Sequence, residues 1–320
     1  MPIDEASLIQ HRRYEDARTG IAEEFLQPSL GLGKTVAVLS RPLGPTHPVG
    51  WVVCHSFGLE QIHLGRLDVT VARALSASGF PVLRYHGSGY GDSELGMEVI
   101  GLASHVGEAA AAVEALSEQT GVGRVGVLGA RFGAMVAALV ADRLDLPFMA
   151  LFEPTTNGAQ YVRDLLRTRL FAEMAGGKND GGARGMDQLR HELAAQGWLD
   201  VKGLRLAREA YDDISQVDLE KDLQRFRGRA LLIGVSRTGK ASPALSRLSD
   251  RLTALGGVSS LEVVRHALAP QFGQFHFQTA DGGVVKVDTQ YELDQEIAQK
   301  SVAWTLGLLQ GSARMNEVSG

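Results

Sequence analysis

Residues 124–143, "RVGVLGARFGAMVAALVADR", set a short apolar run of strand character directly against an apolar helix pattern. Only a Gly-x-x-x-Gly turn separates the two. A strand that passes so abruptly into a helix sends the chain back across a sheet face. The alternation recurs along the whole chain. Extended runs are read at "EEFLQPSL" (23–30) and "KTVAVLSRP" (34–42), and strands at "GWVVCHSF" (50–57), "PVLRYH" (81–86), "RVGVLG" (124–129), "PFMALFEP" (147–154), "RALLIGV" (229–235) and "SLEVVRH" (260–266). Helix patterns fall at about 64–78, 105–119, 132–143, 243–255 and 290–309. This order predicts an α/β fold, a mostly parallel sheet with helices on both faces.

Between Pro154 and Arg229 the rhythm changes. "GAQYVRDLLRTRLFAEMA" and "MDQLRHELAAQG" read as helices joined by the Gly-rich "GGKNDGGARG", a composition that discourages regular structure. The expected organisation is a core of residues 1–154 and 226–320 with a helical insertion, 155–225, that would lie as a lid over the carboxyl edge of the sheet. No internal repeat is visible.

Composition removes several function classes. A net charge of −5 gives no electrostatic footprint for nucleic acid or an anionic membrane. The single cysteine, Cys54, rules out a disulfide within one chain and argues against a thiolate zinc site; no metal and no cofactor is expected. The first residues, "MPIDEASLIQHRRYEDARTG", lack the apolar centre of a signal peptide. No apolar run approaches the roughly 20 residues of a membrane span. A cytoplasmic protein without membrane insertion is expected, and a homodimer stays open.

The turn itself carries the chemistry. Gly129, Gly133 and Ala134 let strand and helix approach closely, and the turn lifts its central residue to the mouth of the sheet. The first N–H groups of the helix point to the same place and favour negative charge. In hydrolytic enzymes with this turn the central residue is a serine nucleophile. Here it is Arg131, whose guanidinium stays protonated and has no lone pair to attack with. A fixed cation can instead grip a carboxylate or phosphate with two hydrogen bonds, or sit in an internal ion pair. The expected partner is Glu153, at the end of the neighbouring strand. The loop "HSFGLEQ" (55–61) would supply the second half of an oxyanion hole, with His55, Ser56 and Phe57 beside the Phe132 N–H. Ser56 is a conceivable replacement nucleophile with no base beside it in sequence; Cys54 reads as core packing.

"VVCHSFGLE", "VARALSASGFPVLRYHGSGYGDSE" and "VGVLGARFGA", in this order, resemble the α/β-hydrolase superfamily, in its serine aminopeptidase-like branch. Glu60, Arg66, "GYGDS" (89–93), "GARFGA" (129–134) and "EPTTNGAQYVRDLLRTRLFAEM" (153–174) are most similar to hydrolase-like proteins associated with exosortase A systems, a group whose elbow also lacks the serine. The superfamily resemblance spans about 22–310 and implies an α/β-hydrolase fold. The chain departs from the superfamily pattern at His86 and Ser88, which stand where Asp and Arg are usual. It departs again at "SRTGKASP", which carries no acid after its strand. The resemblance then points to Glu153 as the alternative acid and to His276 as the histidine, with His266 as the other choice.

Three functions follow. The chain would act on an anionic acyl, ester or thioester compound without covalent catalysis, with Arg131 as anchor, Phe132 as oxyanion donor and Glu153 and His276 as proton-handling groups. Alternatively it is a pseudo-hydrolase, a binding or scaffold protein in an exopolysaccharide-type pathway. The third is a lyase or isomerase on the same fold.

Overall fold

The computed structural model describes residues 12–175, 185–267, 269, 272 and 287–318. Both His276 and most of the Gly-rich segment lie outside the described residues. Among the described residues nine strands form one sheet: β1 (Arg13–Asp16), β2 (Ile21–Leu26), β5 (Ala37–Pro42), β6 (Val49–Cys54), β7 (Val82–Tyr85), β8 (Arg124–Ala130), β9 (Phe148–Phe152), β12 (Arg229–Ser236) and β13 (Val258–Arg265). Their spatial order is β1-β2-β5-β7-β6-β8-β9-β12-β13. From β7 to β13 neighbouring strands run parallel, and β1, β2 and β5 extend the sheet antiparallel. The central strands β6, β8 and β9 are buried almost throughout, as expected of strands covered on both faces.

The covering helices are α1 (Leu59–Ala77), α2 (Leu102–Thr120), α3 (Phe132–Arg143), α8 (Pro243–Ala254) and α9 (Val287–Val318). Apolar residues of α2, α3 and α8 pack on one face of the sheet, with Val52, Val127, Met149 and Leu232. Those of α1 and α9 pack on the other, with Trp51, Leu128, Phe148 and Ile233.

Two boundaries differ from the sequence reading in ways that matter. Helix α1 begins at Leu59, five residues before the apolar periodicity starts at Leu64, after Gly58 turns the chain at φ 62°. Its first turn holds no buried apolar residue, and Ile62 in it is exposed, so the apolar periodicity begins later than the helix. Glu60 is thereby placed on a helix and not in a loop. The segment between β9 and β12 holds the helices α4 (Gly158–Ala175), α5 (Met186–Gln196), α6 (Arg208–Gln216) and α7 (Leu219–Asp222). It also contains a hairpin, β10 (Trp198–Val201) with β11 (Leu204–Ala207). Lys202 and Gly203 at its tip both have positive φ, 54° and 85°, as a tight two-residue hairpin turn requires. A second small hairpin joins β3 (Ser29–Leu30) to β4 (Gly33–Lys34).

Candidate functional site

The turn between β8 and α3 is as sharp as the sequence implies. Arg131 sits at φ 52° and ψ −118°, in a region that L-residues seldom adopt and that costs on the order of 1–3 kcal/mol. Neighbours hold it there. Its N–H donates to Phe152 O (2.9 Å), and its carbonyl accepts from Thr155 N (3.1 Å) and from Ala134 and Met135 at the start of α3. Glycine is obligatory at two positions around it. A Cβ on Gly133 would lie 2.2 Å from Cys54 O, and one on Gly129 would lie 2.5 Å from the Gly133 carbonyl carbon.

The Arg131 side chain is 29% exposed and pairs with Glu60, Nε to Oε1 at 3.3 Å. Tyr161, on α4, donates its hydroxyl to the other oxygen, Oε2, at 3.1 Å. The Phe132 N–H, the donor expected in an oxyanion hole, also faces this carboxylate and favours its ionised form. Burial nevertheless dominates and raises the Glu60 pKa above the ordinary carboxylate value, against the pull of Arg131, Tyr161 and Phe132. Burial also opposes the Arg131 charge, but Glu60, then Tyr161 and Glu153, outweigh it and raise the Arg131 pKa. The guanidinium is held along one edge: among the described residues its terminal nitrogens donate no hydrogen bond.

The expected Arg131–Glu153 pair is therefore corrected. The two residues do end neighbouring parallel strands, β8 and β9, and Glu153 acts on the charge of Arg131. Its Oε2, however, accepts from Val235 N at 2.7 Å, across the gap to β12. The Glu153 N–H donates to Ile233 O (2.7 Å), and its φ is 43°. Burial raises the Glu153 pKa, with Val235 N–H and then Arg131 opposing. An acid at the end of a strand finds backbone donors on the next strand before it finds a long side chain; Glu60 reaches Arg131 from the other side.

The loop after β6 is mostly turned inward. Ser56 is 2% exposed; its Oγ donates to Ala130 O (2.6 Å) and accepts from Gly133 N (3.1 Å). With its proton given to Ala130 O and one lone pair taken by Gly133 N, Ser56 clamps the loop to the elbow. It is not placed as a nucleophile. His55 is buried, donates from Nδ1 to Ser56 O at 3.1 Å, and keeps Nε2 4.0 Å from Glu108 Oε2. Its ring packs against Tyr85, Tyr90 and His105. Burial lowers the His105 pKa to about 3, so that ring is neutral at physiological pH. Phe57 is fully buried against Phe132, and its N–H has no partner among the described residues. Cys54 is buried, and burial pushes its thiol pKa up, as core packing implies. His266, at the end of β13, lies in electrostatic reach of Asp294 on α9, and Asp294 accepts from Arg66 Nε at 2.7 Å. No group of three or more His, Cys, Asp or Glu side chains suited to a metal occurs among the described residues.

No family model and no curated protein matches the chain. Solved structures do. The chain is similar to Est1E from Butyrivibrio proteoclasticus, in a structure with ferulic acid bound (TM-score 0.57, 16% identity, covering 87% of this chain and 99% of that one). It is also similar to an esterase from Pyrobaculum calidifontis (TM-score 0.52, 16% identity, 88% and 86% covered). A fungal esterase from Rhizomucor miehei is a third (TM-score 0.51, 13% identity, 95% and 90% covered). The chain has the α/β-hydrolase fold.

In the α/β-hydrolase fold the strand-to-helix elbow presents its central residue at the top of the sheet, and that residue is Arg131. Sequence reasoning placed Arg131, Phe132 and the loop 55–57 at this point. It did not join Glu60 and Tyr161 to them. No local pattern links positions 60, 131 and 161; the available signal was an acid two residues after the glycine that turns the chain into α1.

Proposed function

We propose that this protein binds a small molecule carrying a carboxylate or a comparable anion in the hydrolase cleft, without a covalent bond to the elbow. The observation that carries the reading is the posture of Arg131. Glu60 fixes its Nε edge while its terminal nitrogens donate to no described residue, on a partly exposed side chain. Two parallel N–H donors suit a planar carboxylate. The Phe57 N–H, which has no partner among the described residues, and the Phe132 N–H supply the neighbouring dipoles. The segment 155–225, acting as a lid, would cover the ligand's body, with Tyr161 at its inner side.

Turnover by non-covalent chemistry is the second reading. Glu153 favours it: a carboxyl with a raised pKa close to the anion site is suited to move a proton, with His276 as its complement. Absence of an elbow serine supports a binding or pseudo-hydrolase role over ordinary ester hydrolysis. The likeness of residues 153–174 to exosortase-associated proteins suggests an exopolysaccharide setting. The test is calorimetric titration with hexanoate, a simple acyl anion. Wild type should bind it, and Arg131→Met should weaken binding at least tenfold while keeping the native circular dichroism. Equal affinity in the two proteins would refute the reading.

A further inference from the structure

We propose that Glu60 is an internal occupant of the anion seat, and that an anionic ligand binds there with uptake of one proton by Glu60. The inference rests on the reading of Arg131 as the ligand anchor.

The geometry is that of a tethered ligand. The Glu60 carboxylate takes the Nε edge of Arg131 at 3.3 Å and the Tyr161 hydroxyl at 3.1 Å, and it faces the Phe132 N–H. These donors belong to three separate elements, the elbow, α3 and α4. Each would serve an external carboxylate equally well. The carboxylate is only 14% exposed, so its charge is balanced by protein groups rather than by water.

Counting charge gives the consequence. Among the described residues Arg131 is the one cation that acts on Glu60, and Glu153 already adds a second negative charge beside it. A ligand anion would bring a third negative charge against a single positive one in a poorly hydrated cleft, a costly arrangement. Protonating a carboxyl removes one of the three. The groups facing Glu60 are Arg131, Tyr161 and, more distantly, Tyr90. Burial raises the pKa of both tyrosines, and Arg131 stays charged, so none of them titrates near neutral pH. Between the two carboxyls, Glu153 holds a backbone N–H at 2.7 Å that stabilises its ionised form. Burial raises both carboxyls, but Glu60 is the one seated directly on Arg131 and Tyr161, the donors that the ligand would take over. Once protonated, it is a neutral donor beside the ligand oxygen, and the Arg131 charge is released to the ligand.

The experiment is hexanoate titration from pH 6 to 8.5, where hexanoate is ionised throughout, in buffers of different ionisation enthalpy. Wild type should take up close to one proton per ligand bound, with Kd rising up to tenfold per pH unit above the Glu60 pKa. Glu60→Gln should bind at least tenfold tighter at pH 8, take up no proton and lose the pH slope. Glu153→Gln should keep the wild-type slope. If Glu60→Gln misfolds, Glu60→Asp, with a shorter reach, should bind tighter than wild type at pH 8. Wild-type binding without proton uptake, or a slope abolished by Glu153→Gln and retained in Glu60→Gln, would overturn the proposal. Failure of wild type, Glu60→Gln and Glu60→Asp alike to bind hexanoate, all folded, would overturn the ligand-anchor reading itself.

Discussion

At the scale of single residues, Glu60 and Arg131 stabilise the fold by an interaction intermediate between an exposed pair and a fully buried one. Replacing Arg131 by Met should therefore cost about 1–3 kcal/mol, chiefly because it strands the Glu60 carboxylate. Adding Glu60→Gln to Arg131→Met should recover most of the loss. Chemical denaturation of the two single variants and the double variant measures the coupling. Asp68, also on α1, is a second carboxyl whose charge burial disfavours. It lines a cavity of about 110 Å³ with Gln61, Arg84, Tyr85 and His86. Burial raises its pKa to about 7, with Arg84 opposing and Asp294 adding to the rise. The folded protein thus holds the proton more tightly than the unfolded chain, so this residue destabilises the fold increasingly as pH rises from about 4 to about 7. Asp68→Asn should raise the melting temperature at pH 8 and change it little at pH 4; equal shifts at the two pH values would refute this.

At the scale of elements, the elbow is a junction of three chain segments packed at backbone contact. Gly133→Ala would drive a methyl into Cys54 O. Backbone cannot yield as a side chain can, so the change should cost about 1–3 kcal/mol or more, read as a lower denaturation midpoint. Ser56→Ala removes the hydroxyl that joins Ala130 O to Gly133 N. It leaves a buried N–H and C=O unsatisfied, at about 1–3 kcal/mol. If Ser56 were instead a nucleophile, a fluorophosphonate probe would label the wild type at that residue; no labelling is expected. The element boundaries carry a related lesson. The α1 apolar pattern starts at Leu64 because Leu64 is the first of its buried apolar residues, and the first turn buries the polar Glu60 instead. The hairpin at 198–207 was legible in its alternation and its Lys202–Gly203 tip, but the helical patterns on either side obscured it.

At the scale of the whole molecule, the two faces of the sheet are closed by different parts of the chain. Helix α9, residues 287–318, closes the second face: Leu293, Ile297 and Leu308 are buried on it, and Trp304 lies 6.0 Å from Trp51. Those three aliphatic side chains account for about 5–9 kcal/mol of burial. That is comparable to the whole net stability of a domain, roughly 5–15 kcal/mol. A chain ending at residue 286 should lose its near-ultraviolet circular dichroism and its cooperative melting transition. Retention of a sharp transition would show that the remaining core is sufficient without α9. No helix among the described residues is long and apolar enough to cross a membrane.

The sequence by itself determined the order of the central strands and their covering helices, because the periodicity of apolar residues and the short Gly-rich turns are local properties of the chain. It determined that a guanidinium stands at the elbow, since residue 131 is fixed by the turn's own glycines, and that the turn requires close approach. The partner of that guanidinium was decided by tertiary structure alone. Glu60, Arg131 and Tyr161 are brought together by the crossing of α1, the elbow and α4, and strand adjacency, which favoured Glu153, ignores how far a long side chain reaches and which backbone donors an acid meets first. The same holds for Ser56. Its hydroxyl reads as available in sequence, and only the packing of the loop against the elbow buries it and ties its proton and one lone pair to the backbone.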